Sequence, residues 1–236
     1  MLEVLDIISV NGNKDIRVVY NRSAYNENES DNAWEYYFEP VNNDTKKKYR
    51  LFLTTRPFRN LLISQNPKLR SVFSEILADR VKIKKDILDK ANFFAEKYFK
   101  NKKILAVHYR GTDVAVTINS SSHIFTKAPV EKYFDEINQL IDNCDAIFLA
   151  TDDENAFDSF KKKYGEKIVS YSSIRSRNRV GIHHGESSKR LAREEAVIDA
   201  LLLSKGDFLI HGQSNLSTFV SFLNGKLLMK NLDLRK

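Results

Sequence analysis

KILAVHYRGTD, residues 103–113, is the stretch on which the fold turns. Ile104, Leu105, Ala106 and Val107 follow one another without a polar break, the pattern of a buried strand, and the run then opens into His108, Arg110 and Asp113. Strand-like and helix-like segments alternate from there on. Helical spacing covers residues 130–141, 155–164, 188–204 and 215–223, and short apolar runs cover 146–150, 167–171, 207–211 and about 226–229. Such alternation predicts βαβ crossovers, and so an α/β domain of Rossmann type with a mainly parallel sheet. Ligands bind such sheets just beyond the C-terminal ends of the strands. The polar clusters fall there: His108 to Asp113, Thr151 to Asp153, Ser172 onward, and His211 to Asn215.

Upstream, residues 15–20 alternate apolar and polar side chains and residues 51–54 form a short apolar run, so both read as strands. Residues 26–32 form a polar connector, and residues 66–100 carry apolar side chains at the spacing of one or two amphipathic helices. The expected division is a short α/β N-terminal part with linking helices over residues 1–100 and the Rossmann-like domain over 101–236. The aromatic stretch WEYYFEPV, Trp34 to Val41, reads as core rather than site.

The chain has 236 residues, of which 42% are hydrophobic and 29% charged, proportions typical of globular proteins. No apolar run approaches the ~18 residues of a membrane span, and the opening MLEVLDIISVNGNKD lacks the basic start and apolar run of a signal peptide. A cytoplasmic location is the expectation. Cys144 is the one cysteine, which rules out an intramolecular disulfide and a four-thiolate zinc site. The net charge is +7, with a local concentration at Arg175, Arg177, Arg179, Lys189, Arg190 and Arg193 that suits an anionic partner. No nucleic-acid-binding motif accompanies it, so nucleic acid is not an expected partner.

Arg110 at a strand end suits a diphosphate, because a guanidinium donates parallel hydrogen bonds and keeps its charge. An ion pair with Asp113 that merely fixes the loop is the competing reading. In ATDD, residues 150–153, an acid pair at a helix start suits capping better than metal binding. HGQSNLS, residues 211–217, places backbone N–H groups at a strand-to-helix turn, a natural anion site, and Ser214 or Asn215 is also an ordinary cap. Glu195 and Asp199 are four residues apart and share a helix face, whereas Glu194 points about 100° away. His183 and His184 are adjacent loop residues with no third ligand and do not make a metal site.

HYRGTD, then FLATDD about 40 residues later, then REEAVIDALLLSKGDFLIHGQSNLS, together resemble the donor-binding domain of the GT-B-fold fucosyltransferases. The likeness covers roughly residues 103–230 and is nearest to the α1,6-fucosyltransferases, including the nodulation type, with kinship to the protein O-fucosyltransferases. It implies an enzyme that transfers L-fucose from GDP-fucose to a glycan hydroxyl, with inversion and without a metal or other cofactor. A nucleotide sugar and a glycan acceptor would be its partners. On the same resemblance Arg110 binds the β-phosphate and stabilises the departing diphosphate, and His108 and Asp199 contact guanine or ribose. Gln213, Ser214 and Asn215 form the phosphate and ribose turn, and Asp153 supports the guanosine pocket. Two departures stand out. Gly111 occupies the place of a second arginine, and residues 114–122 hold no carboxylate, which leaves Asp113 as the acid of that loop. A relative that binds the nucleotide sugar without turnover is the alternative.

Overall fold

Alternation along the strands decides how the molecule is layered. The computed structural model describes residues 18, 32–41, 65–111, 125–126, 128–171, 174–177, 189–232 and 234–235. Its strands in chain order are β1 (Ile104–Tyr109), β2 (Phe125–Thr126), β3 (Ala146–Thr151), β4 (Ile168–Val169), β5 (Phe208–His211), β6 (Leu228–Asn231) and β7 (Leu234–Arg235). Five of them form one sheet in the order β4-β3-β1-β5-β6, and every pairing in it is parallel. A short antiparallel pair, β2 with β7, lies apart from it.

Among the described residues, six helices flank the sheet: α1 (Pro67–Arg80), α2 (Lys85–Tyr98), α3 (Val130–Leu140), α4 (Glu154–Tyr164), α5 (Lys189–Leu203) and α6 (Asn215–Leu223). Because successive strand residues face opposite sides, the central strands feed two cores. Ile104, Ala106, Phe148, Ala150 and Leu209 join one core with residues of α1, α2, α5 and α6. Leu105, Val107, Ile147, Leu149 and Ile210 join the other with Tyr133 and Ile137 of α3 and Phe160 of α4. Ala106, Leu105, Phe148 and Leu149 are wholly inaccessible to solvent, as burial on both faces requires.

The chain passes from β1 to β3 and β4 on one side, then crosses to β5 and β6 on the other. The order of travel reverses between β1 and β5, and in open parallel sheets the crevice at such a reversal is where ligands bind. The α/β, Rossmann-type class expected from the sequence is the class observed.

The N-terminal segments complete the first core. Residues Ala33–Tyr36 make one turn of 3-10 helix capped by the Asn32 side chain, and Trp34, Tyr37 and Phe38 are buried with Phe73 and Leu77 of α1 and Ile87 of α2. The Tyr37 hydroxyl donates to the main-chain oxygen of Arg190, 3.1 Å away, and so fastens this segment to the start of α5. The aromatic stretch is therefore core, as its composition suggested. Residues 66–100 resolve into two helices. The break follows from Val81, which caps α1 with extended backbone, and Ile83, which bridges to Phe38. β4 is shorter than its apolar run because Ser170 turns its hydroxyl to the oxygen of Leu149 at 2.9 Å. The strands expected over residues 15–20 and 51–54 lie outside the described residues, apart from Val18, which is buried in the first core.

Among the described residues, no helix is long and apolar enough to cross a membrane.

Candidate functional site

The face of β1 that carries Ala106 continues through His108 to Arg110, and the matching face of β3 continues from Phe148 and Ala150 to Asp152. Both lead to α5. That helix presents Ala192, Glu195, Ala196 and Asp199, spaced i, i+3, i+4 and i+7 on a single face. These residues, with Thr151, Ile174 and Leu216, line a cleft at the C-terminal edge of the sheet. The alanines keep its floor low, so the two carboxylates of α5 stand opposite the strand-end groups. Glu194 points elsewhere and pairs with Lys90 of α2, a contact that raises the lysine's pKa chiefly through the hydrogen bond.

Asp152 and Asp153 separate in function because they leave the strand on opposite sides. The Asp153 carboxylate turns into α4, where its Oδ1 accepts the N–H groups of Asn155 and Ala156 at 2.9 and 3.1 Å. This is the capping role that the sequence favoured. Asp153 is buried at the base of the strand-end loop and is absent from the cleft lining. Asp152 lines the cleft and its Oδ1 accepts the Gly111 N–H at 2.6 Å. Gly111 sits so close to the acid pair that a Cβ there would lie 2.0 Å from the Cβ of Asp153. No group of three or more metal-ligating side chains occurs among the described residues.

At the reversal point, His108 and His211 are direct partners across β1 and β5. His211 lies 2.9 Å through Nδ1 from the oxygen of Gly212, which can only accept, so Nδ1 carries the proton. His108 Nδ1 lies 3.4 Å from the Ser214 hydroxyl. Ser214 caps α6 and forms a reciprocal capping box with Ser217. Of the turn residues expected at the donor, Ser214 thus meets the cleft through His108, Gln213 accepts a hydrogen bond from Asn231 at 3.3 Å, and Asn215 opens α6. Asp113 lies outside the described residues, as do His183 and His184.

Burial holds both histidines neutral. The His108 pKa falls to about 3, first through desolvation and then through Arg110 and His211, and that of His211 falls to about 4, mainly through desolvation and against its bond to Gly212. Each ring takes up a proton near pH 6.5 when the chain unfolds and stays neutral in the fold until the pH is far lower. Unfolding therefore binds protons in that window, and stability must fall as the pH drops from about 6.5 towards 4. The slope approaches about 1.4 kcal/mol per pH unit for each histidine. Thermal melts from pH 7.5 to 4.5 should show this slope, and His211→Gln should reduce it.

Residues 174–177, which bring Ile174 to the cleft, are tied down at several points. The Ile174 N–H donates to Glu195 Oε2 at 2.7 Å, and the Ser176 N–H donates to the main-chain oxygen of Asp152 at 3.0 Å. Arg175 stacks over Phe157, 4.0 Å from its centroid. Burial raises the Glu195 pKa, opposed by the Ile174 bond and by Arg175. Ile174 and Leu216 were not foreseen as site residues, whereas the face shared with Asp199 already pointed Glu195 towards a pocket. Counting back one helical turn from Asp199 reaches Glu195, whereas nothing in the sequence marks Ile174.

No family model matches the chain, and no curated protein matches it. Solved structures do. NodZ α1,6-fucosyltransferase soaked with GDP-fucose superimposes with a TM-score of 0.59 at 14% identity, over 96% of this chain and 88% of that one. The same enzyme co-crystallized with GDP gives 0.58 at 14% identity, over 94% and 84%. The fucosyltransferase NodZ from Bradyrhizobium gives 0.59 at 15% identity, over 98% and 88%. The likeness read from three motifs thus extends to the fold, and the chain has the GT-B-like α/β architecture of the NodZ fucosyltransferases.

Proposed function

We propose that this protein is a glycosyltransferase that moves L-fucose from GDP-fucose to a glycan hydroxyl, with inversion and without a metal. The observation that carries the reading is the convergence of Arg110, His108, Glu195 and Asp199 on one cleft at the C-terminal edge of the sheet. A nucleoside diphosphate needs a cation at one end and hydrogen-bond acceptors for base and ribose at the other. Arg110 supplies the first and the α5 carboxylates supply the second. One NodZ structure was co-crystallized with GDP and another soaked with GDP-fucose, which supports the choice of nucleotide.

In the proposed reaction the acceptor oxygen bonds to the sugar C1 as the bond from C1 to the β-phosphate oxygen breaks. The electron pair leaves with the diphosphate, beside Arg110, and the acceptor proton passes to a base. Negative charge grows on the diphosphate along this path, so a fixed guanidinium stabilises the transition state more than the ground state. His108, held neutral by burial, suits hydrogen bonding to ribose or base better than proton transfer at neutral pH. Asp113 is the proposed base, and residues 1–100 are proposed to serve the acceptor side of a donor-binding unit at 101–236.

Binding without turnover is the second reading. Gly111, where the resembled enzymes carry a second arginine, favours it, since one cation is then lost from the phosphate site. Incubation with GDP-fucose labelled in the sugar, in EDTA and with a panel of glycans, separates the two. Release of labelled fucose or its transfer to an acceptor is the expected result. Intact donor after prolonged incubation, with GDP still bound, would favour the second reading. Turnover that EDTA abolishes and Mg²⁺ or Mn²⁺ restores would overturn metal independence.

A further inference from the structure

We propose that Asp152 is a positioning residue for Arg110, acting through the Gly111 peptide. The proposal rests on the reading of Arg110 as the diphosphate ligand. Tyr109 and Thr151 are the last register partners of β1 and β3. Beyond them the ladder stops, and a side chain takes over its work: Asp152 Oδ1 accepts the Gly111 N–H at 2.6 Å. A carboxylate acceptor makes this bond stronger than an ordinary peptide pairing. The bond fixes the peptide that directly follows Arg110, and so the direction in which the guanidinium leaves the strand.

The acceptor is itself immobile. The Asp152 main-chain oxygen takes the Ser176 N–H at 3.0 Å, and the next residue anchors the chain by capping α4. The Asp153 N–H also donates to Thr151 Oγ1 at 3.2 Å. Asp152 therefore projects from backbone held on both sides. Gly111 makes the close approach possible, because its missing Cβ leaves the space that Asp153 fills. Where a second arginine would add charge, this chain instead uses a bare peptide clamped by an acid pair. Preorganisation of the remaining arginine takes the place of the additional cation.

Asp152 also lines the cleft, so direct contact with the nucleoside is the competing role. Phosphate dependence separates the two. Calorimetry on the full chain compares GDP with guanosine, which lacks phosphate, for wild type, Asp152→Ala, Asp152→Asn, Arg110→Ala and the Arg110→Ala/Asp152→Ala double variant. Asp152→Ala is expected to weaken GDP by about tenfold, the cost of one hydrogen bond to a charged group, and to leave guanosine unchanged. In the Arg110→Ala background it should cause no further loss. Asp152→Asn, whose amide oxygen still accepts the Gly111 N–H, should recover most of the GDP affinity. Should Asp152→Ala fail to fold, Asp152→Ser carries the same expectations, since its hydroxyl stops short of Gly111. Equal losses for GDP and guanosine, additivity with Arg110→Ala, or unchanged GDP affinity each overturn the proposal while leaving the donor site standing. A wild-type protein that binds neither ligand overturns the donor-site reading and the proposal with it.

Discussion

Arg110→Lys should weaken GDP binding severely and lower the transfer rate about a hundredfold even at saturating donor. The charge is conserved, so the expected loss is geometric. A guanidinium offers a planar fork that matches two phosphate oxygens, whereas an ammonium is a compact point charge on a flexible stem. Arg110 follows the last residue of a strand wholly shielded on both faces and precedes a peptide held by Asp152, so its fork is aimed before the donor arrives. A lysine at the same Cα leaves the strand in the same direction, but its ammonium cannot pair two phosphate oxygens in one plane. Arg177, solvent-exposed and 3.7 Å from Glu154 and Asp158, is the control. Its exchange for lysine should change neither binding nor rate, because exposed ion pairs are worth little. Steady-state kinetics with GDP titration on both variants measures this. An Arg110→Lys protein that is folded and transfers sugar at the wild-type rate would assign the arginine to loop structure.

Gly111→Ala is expected to have the next largest effect. Its added Cβ would lie 2.0 Å from Asp153 Cβ and 2.4 Å from Oδ2, well inside any tolerable contact. Asp153 cannot step aside freely, because its carboxylate caps α4 and its neighbour holds Ser176. The strand-end loop must move instead. Overpacking of this kind typically costs about 1–3 kcal/mol, and the shift should also break the 2.6 Å bond to Asp152 and misdirect Arg110. Gly111→Arg should behave in the same way, so restoring the second arginine of the resembled enzymes should weaken GDP binding rather than strengthen it. The three nearest atoms to the added Cβ all belong to the Asp153 side chain. Gly111→Ala with Asp153→Gly should therefore recover GDP affinity, yet remain less stable by roughly a few tenths of a kcal/mol, since glycine is itself tolerated at a helix cap. Chemical denaturation paired with GDP calorimetry separates the two effects. A Gly111→Ala protein as stable as wild type and equally tight for GDP would show that the loop tips are not clamped.

The layered architecture was legible because its causes are local. As a strand, four consecutive apolar residues at 104–107 need a sheet covered on both faces, and the helical periods between the strands supply the cover. Parallel strands whose ends all point the same way place Arg110, Asp153 and Ser214 on one edge, as expected, but Asp152 rather than Asp153 lines the cleft with Arg110. The division of labour within the acid pair was harder. Capping by Asp153 is a contact with residues two and three positions on, and the sequence favoured it correctly. The bond from Asp152 to Gly111 spans 41 residues and depends on two loop tips meeting, which no periodicity encodes. Ile174 enters the cleft for a similar reason, since Glu195 and Asp152 hold its segment from other elements. Helix breaks also escaped the apolar pattern. Residues 81–84 separate α1 from α2 because Ile83 is drawn into a bridge with Phe38, a partner from the N-terminal segment.

The cleft of Arg110, His108, Glu195 and Asp199 is proposed to bind a guanosine diphosphate without a metal. Calorimetric titration of wild-type protein and Arg110→Ala with GDP in EDTA, alongside UDP, ADP and CMP, tests it most directly. Saturable binding of GDP to the wild type, weaker binding of the other nucleotides, and loss of most GDP affinity in the variant are expected. GDP binding that appears only when Mg²⁺ or Mn²⁺ is added, or that is as tight in Arg110→Ala as in the wild type, would contradict it.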